Sequence, residues 1–344
     1  MFLEELSGIP GVSGNENEVR KYIREALPSR VKADTDYMGN LLAGKGFKGN
    51  RSAPPAKIPR IMLAAHMDEV GLLISSIEKT GHLRFKKVGG IDDRVLVAKN
   101  VLVGKGRVPG VIGAKAVHLQ REDERKRPYE VKNLFIDIGA KGKEEAEKLV
   151  QIGDYVSFES AFTSLGDNCY MGKAFDDRVG CAILLELLHD HQKGLPPFQA
   201  AFTVQEEVGF RGARTAAYAL NPEIALVIEG TAASDVPESK DHEYSTTLGQ
   251  GPAITFMDQS VMVDRELMQK LVKTAEQNKI PFQFRRFTGG FTDAGAISLA
   301  REGTRTAVIS VPCRYIHSPF SILKESDYRH TLELVRAFLK SFVV

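Results

Sequence analysis

Glu206 and Glu207 stand side by side in QEEVGFRGA, directly after the apolar run FQAAFTV (Phe198 to Val204). Two adjacent carboxylates at the mouth of a buried strand resist joint ionisation, because like charges at close range raise each other's pKa. A multivalent cation removes that cost. It takes one carboxylate as a ligand and leaves the next to move protons. Alone, the pair also reads as a solvated loop whose acids lie at the N-terminus of the next helix. Other parts of the chain supply matching donors. His66-Met67-Asp68 follows IMLAA, Glu229 follows IALVI, and His317 comes shortly after TAVISVP. Asp176 lies in GKAFDDRVG, at the start of an amphipathic helix.

Two imidazoles with three or more carboxylates suit zinc, cobalt or manganese, and there are too few thiolates for a structural zinc site. The acids outnumber what one ion needs. Two ions about 3.5–4 Å apart, bridged by one carboxylate, use them all. Residues two apart on a strand point to the same side, so Asp68 is placed to accept from the ring of His66 and fix its tautomer. Each piece has a plainer reading by itself: Asp176-Asp177 as helix caps, Glu229 as a strand-end acid, His317 as a loop histidine. Their joint occurrence at successive strand ends points to a metal centre. Elsewhere, Gly249-Gln250-Gly251 reads as a turn. Thr288 to Ala296 (TGGFTDAGA) reads either as a capped tight turn or as backbone N–H groups facing a cleft. His118, His189, His191, His242 and His330 do not cluster with other donors.

The elements that must position these residues follow from periodicity. Val19, Tyr22, Ile23, Ala26 and Leu27 recur at helical spacing up to Pro28. A strand-like stretch around 40–43 precedes a basic loop, KGFKGNRSAPPAKIPR, and IMLAA (61–65) reads as a strand covered on both faces. From about Gly71 to Glu159, short β-branched runs are punctuated by glycines, and REDERKRPYEVK is an exposed loop between them. That texture predicts a small β-barrel or sandwich. Beyond Gly166, helix and strand alternate. Helices are expected over 177–191, 209–220, 263–278 and 324–342, with strands over 198–204, 224–228 and 306–311. The whole reads as an α/β unit interrupted by a β-rich insertion. If the strands are parallel, the polar residues gather at their C-terminal edge, where such sheets form sites.

Composition narrows the class. Charged residues make up 26% and hydrophobic residues 43% of the 344 positions, ordinary for a globular protein. A net charge of +2 gives no reason to expect nucleic acid or an anionic membrane as partner. No apolar stretch reaches membrane-spanning length, and MFLEELSGIPGVSG carries acids where a signal peptide needs basic residues. Cys169, Cys181 and Cys313 are far apart and odd in number, which points to reduced thiols and a cytoplasmic protein. Asn50-Arg51-Ser52 is a glycosylation pattern without a secretory context.

Six ordered motifs, AAHMDEVG, GGIDDRVL, GKAFDDRVGC, QEEVGFRGA, GGFTDAGAI and YIHSP, span nearly the whole chain. In these the chain resembles the M42 family of dinuclear metallo-aminopeptidases, relatives of glutamyl and tetrahedral (TET) aminopeptidases, some labelled endoglucanase. The resemblance implies a zinc-peptidase-like α/β core over 1–70 and 162–344, with a mixed, largely parallel sheet flanked by helices. An inserted β-barrel oligomerisation domain would occupy 71–161. His66 and His317 would bind different ions, Asp176 would bridge them, and Glu207 and Glu229 would complete the two shells. Glu206 would be the general base, and Asp68, read from its spacing as the partner of the His66 ring, is counted with it as catalytic. A cis peptide is implied between Asp176 and Asp177. So is assembly through dimers into a tetrahedral homododecamer. Many relatives have aspartate where this chain has Glu229, whose longer side chain changes the geometry at that ion. Asp235 is expected to line the cleft.

The reaction so implied is release of N-terminal amino acids from short peptides, using two divalent ions per subunit, zinc or cobalt first and manganese next. Two other readings remain open at this level. One is a metal-dependent deacylase or deblocking enzyme acting on N-acylated amino acids; the other is a non-catalytic self-assembling scaffold. Glycan hydrolysis would need only two carboxylates and leaves the histidines without a role.

Overall fold

A computed structural model describes residues 1–44, 58–190 and 194–343. Most of the basic loop, the Asn50-Arg51-Ser52 pattern and His191 lie outside the described residues. In chain order the strands are β1 (Lys32–Thr35), β2 (Leu41–Gly44), β3 (Ile61–His66), β4 (Gly71–Ile77), β5 (Leu83–Val88), β6 (Asn100–Val103), β7 (Val108–Gly113), β8 (Phe135–Asp137) and β9 (Tyr155–Phe158). They continue with β10 (Thr163–Leu165), β11 (Cys169–Gly172), β12 (Gln199–Thr203), β13 (Ile224–Ala232), β14 (Ala253–Ile254), β15 (Gln283–Phe284), β16 (Arg305–Arg314) and β17 (Ser321–Lys324). The helices are α1 (Phe2–Gly8), α2 (Asn17–Ala26), α3 (Glu122–Arg125), α4 (Lys143–Ala146), α5 (Phe175–Asp190), α6 (Arg211–Leu220), α7 (Arg265–Asn278), α8 (Asp293–Ser298) and α9 (Glu325–Lys340).

The main sheet runs β1-β2-β12-β3-β13-β16-β17-β11-β10, with β14 and β15 attached beside β16. Its centre, β12-β3-β13-β16, is parallel, and the outer pairs are antiparallel. The centre is covered on both sides, which explains why IMLAAH is buried at every position. One face carries the larger core, where Leu3 and Leu6 of α1, Val179 to Leu188 of α5, and Tyr328 and Phe338 of α9 pack on Leu63, Phe202 and Leu226. The other face is alanine-rich: Ala213, Ala216 and Ala217 of α6 and Ala294 of α8 lie against Met62, Ala64 and Val227. Small side chains there bring the helices close to the sheet.

Strands β4-β5-β8-β7-β6-β9 close into a barrel around their own core of Leu72, Ile74, Leu83, Val101, Ile112, Ile136 and Val156. The β-rich texture of 71–159 thus resolves to a barrel rather than a sandwich. Several element ends differ from the sequence reading. Strands β13 and β16 run on to Ala232 and Arg314, because they pair with each other in register from Ile224–Arg305 to Ala232–Cys313. Residues 321–324 form the strand β17, antiparallel to β11 and β16, before α9 starts at Glu325. Among the described residues no helix is long and apolar enough to cross a membrane.

Candidate metal centre

His66 is the last residue of β3, buried at the C-terminal edge of the parallel strands. Its Nε2 lies 3.3 Å from Asp176 Oδ1 and 3.6 Å from Glu229 Oε2. On the other side of the ring, Nδ1 is 3.1 Å from the main-chain carbonyl of Asp68 and 3.5 Å from its carboxylate. The nearer restraint on this ring is therefore a carbonyl, where the spacing of the two residues points to the carboxylate. His317 follows β16 in a left-handed conformation, φ +58°. Its Nδ1 meets the Gly90 carbonyl at 2.9 Å. A carbonyl only accepts, so Nδ1 carries a proton and Nε2 is the nitrogen turned to the acids, able to bind an ion once its own proton is released. That nitrogen faces Asp176 Oδ2 at 3.5 Å and Glu207 Oε1 at 3.3 Å.

Asp176 stands between the two histidines and turns one oxygen to each. The Asp176–Asp177 peptide is cis. Asp177 is fully buried and spends its carboxylate on the main chain, accepting from His66 N at 3.1 Å and Gly180 N at 3.0 Å. Glu229 lies inside β13, not past its end, and reaches the cluster from the strand itself. Asp235 is held by Arg314, whose Nε and Nη2 contact its two oxygens at 2.9 and 2.6 Å.

Potential ligand atoms collect into His66–Asp177–Glu229, His66–Glu206–Glu207 and Asp176–Glu207–His317, each within 4.8 Å. Two observations test whether a metal fits. Donors around a tetrahedral ion with bonds of about 2.0–2.1 Å lie about 3.3 Å apart, and the His–carboxylate separations here are 3.3 to 3.6 Å. In addition, Glu229 Oε1 is buried without a hydrogen-bond partner, a costly arrangement that a cation would relieve. The residues fit.

The electrostatics agree. Burial pushes the carboxyls of Glu206 and Glu229 well up, with neighbouring acids adding to the effect. Burial likewise raises Glu207 to about 7 and Asp293 to about 7. Asp176 goes the other way: despite its burial, hydrogen bonds from His317 and His66 hold it below the usual carboxylate range. His317 rises to about 9, since the bond to Asp176 and the charge of Glu207 outweigh a burial effect of opposite sign.

All seven residues singled out from the sequence meet at this edge: His66, Asp68, Asp176, Glu206, Glu207, Glu229 and His317. Others join them that carried no such signal. Asp293, at the start of α8, accepts from Thr203 Oγ1 at 2.6 Å and adds to the field that raises Glu206. Gly90 orients His317 through its carbonyl. Beneath the edge, the buried Lys173 contacts both oxygens of Glu69 at 2.6 Å, and Gly11 N donates to Glu69 Oε1 at 2.9 Å. The motifs GGFTDAGAI and GKAFDDRVGC contained Asp293 and Lys173, but periodicity gave neither of them a partner.

A histidine–carboxylate cluster at the C-terminal edge of a parallel sheet defines a class, the metal-binding α/β enzymes. Comparison with known proteins narrows it. Residues 49–334 match the model of the M42 glutamyl aminopeptidase family. A putative aminopeptidase of Acetivibrio thermocellus is 38% identical over 335 residues, covering 97% of this chain and 96% of its own. Among solved structures, the aminopeptidase APDkam598 of the archaeon Desulfurococcus kamchatkensis superposes with a TM-score of 0.91 at 38% identity, covering 98% of this chain and 93% of that one. The TET1 peptidase of Pyrococcus horikoshii, which can assemble into a tetrahedron or a large octahedral shell, follows at 0.86 and 36%, with 98% of each chain covered. The chain belongs to the M42 glutamyl aminopeptidase family and is a hydrolase, a metal-dependent aminopeptidase.

Proposed function

We propose that this enzyme releases N-terminal amino acids from short peptides with two divalent ions in each subunit. One ion would be held by His66 and Glu229, the other by His317 and Glu207, with Asp176 between them. The observation that carries this reading is Asp176 itself, one oxygen facing each imidazole. Mixed nitrogen and oxygen donors suit zinc or cobalt, with manganese next. Bound there, the ions would supply Lewis acidity, making a water acidic and polarising the scissile carbonyl.

The chain's own residues do the rest. Glu206, raised by burial, is the general base: it takes a proton from the attacking water and returns it to the leaving amine. Asp68 anchors the turn that bears Glu206 and restrains the ring of His66. The acids around the cluster leave a negative edge that suits the substrate's free α-ammonium. A panel of aminoacyl anilides assayed with zinc, cobalt and manganese tests the reading. Free-amine anilides should be cleaved and their N-acetyl forms left intact; the reverse pattern would replace it with a deacylase.

The proposal extends to organisation. Residues 1–70 and 162–344 make the catalytic unit, and the barrel over 71–161 serves assembly, as a homododecamer built from dimers. The assembly of the Pyrococcus horikoshii relative supports this part, and gel filtration with light scattering tests it against the chain mass of 37.9 kDa. Cys169, Cys181 and Cys313 are free, in keeping with a cytoplasmic location.

A further inference from the structure

We propose that Glu16 is a positioning residue for the catalytic glutamates, acting through the backbone of the turn that carries them. The inference rests on the roles given above to Glu206 and Glu207. Where β12 ends, four successive N–H groups leave the sheet, and each is accepted by a side chain from elsewhere in the chain. Val204 N donates to Asn40 Oδ1 at 3.1 Å, Gln205 N to Glu16 Oε1 at 3.2 Å, Glu206 N to Asp68 Oδ1 at 3.0 Å and Glu207 N to Asp68 Oδ2 at 3.2 Å. The turn's other bonds are internal: Gly209 and Phe210 donate to the Glu206 carbonyl. Gln205 sits at φ +57°, a left-handed conformation that a non-glycine residue keeps only when its surroundings impose it.

Glu16 is built for this task. It is 4% exposed, precedes α2, and its Oε1 also accepts from Gly14 N at 2.7 Å, which fixes the carboxylate. The same segment reaches the second anchor, since Ser13 Oγ donates to Asp68 Oδ2 at 2.6 Å. Ser13 N pairs with the Glu69 carbonyl and Glu69 N with that of Gly11, so residues 11–16 lie along the catalytic edge as a strap. Neither Glu16 nor Ser13 belongs to the histidine–carboxylate groups that could hold a metal. Their effect is on where the Glu206 and Glu207 side chains start.

The test uses the metal-loaded enzyme and one anilide substrate. Glu16→Ala should lower kcat by about tenfold or more, because small misplacements of catalytic groups are costly in rate, while KM and the two-metal content stay at parental values. Amide exchange should quicken at 205–207 and not in the barrel. Glu16→Gln, whose amide oxygen still accepts both N–H groups, should restore most of kcat; a general loss of packing would not respond to that distinction. Ser13→Ala should lower kcat in the same pattern, more mildly, and decides the question if Glu16→Ala fails to fold. Parental kcat in Glu16→Ala, or in Ser13→Ala in that case, overturns the proposal. So does a Glu16→Gln enzyme as slow as Glu16→Ala. Glu206→Gln is run beside them: if it stays active, the base assignment has failed, whatever the strap variants show.

Discussion

Glu206 and Glu207 are adjacent in sequence but meet different surroundings. Glu207 turns Oε1 to His317 at 3.3 Å, whereas Glu206 is raised by burial and by the charges of Glu207, Asp293 and Asp68. In the proposed reaction only the first is needed to bind metal. Glu206→Gln keeps shape but cannot take a proton, so kcat should fall by about 10²–10⁴-fold with metal content unchanged by elemental analysis. Glu229 allows the complementary experiment. Its replacement by alanine removes a donor beside His66 and should cost about one of the two ions. Glu229→Asp keeps the donor type and should retain both ions with weaker affinity, measured by titration against a chelator. At this scale the candidate ligands were legible from their joint occurrence after successive apolar runs, and not from any one of them, since each alone has a plainer reading. Gly90 and Glu16 were not. They act on a ring proton or on backbone N–H groups, and such contacts leave no mark in residue type or spacing.

The elements set how closely these residues approach. Helix α5 delivers Asp176 and crosses β13 at Gly180, where an added Cβ would lie 2.6 Å from both Asp177 oxygens and 2.8 Å from the Ile228 carbonyl. The Ile228 carbonyl belongs to the central sheet and cannot yield, so the helix must. Gly180→Ala should destabilise the protein by about 1–3 kcal/mol, read from the denaturation midpoint, and should also reduce activity because the shift occurs at the end of α5 that holds Asp176. The existence of α5 and of the parallel strands could be read from apolar runs and helical spacing. Their true ends could not: β13 and β16 extend through mutual pairing, a property of two segments about 80 residues apart (roughly half a domain). That extension places Glu229 within a strand. It also makes the reach of this side chain, rather than a flexible loop, the means by which it meets His66.

For the whole molecule, periodicity disclosed an α/β unit with a β-rich insertion and the family resemblance an inserted barrel, which the structure bears out; the order of strands was not legible, because it depends on pairings far apart in the chain. Of the acids that end on one edge, Asp68, Asp176, Glu206, Glu207 and Glu229 were read from the sequence, and the structure adds Asp177 and Asp293. Without metal, that edge must hold protons. Burial raises Glu207 to about 7, and the surrounding carboxylates raise the half-buried His317 to about 9 against an opposing effect of desolvation. Metal binds the unprotonated forms, so uptake must release protons. The sign follows from His317. Its raised pKa stabilises the metal-free fold fully below the ordinary value of 6.5, and this contribution is lost as pH rises through about 9. With His317 as a ligand, as proposed, the metal-bound fold has no such proton to lose. The stability gap between loaded and stripped enzyme should therefore widen from pH 6 to about pH 9 and then level, reaching about 4 kcal/mol where free metal is about 1,000 times its Kd. Thermal denaturation with and without a chelator across that range, at fixed free metal, measures the gap directly. A gap that stayed constant with pH would mean that the metal does not displace these protons, and that the imidazole of His317 is not among its ligands.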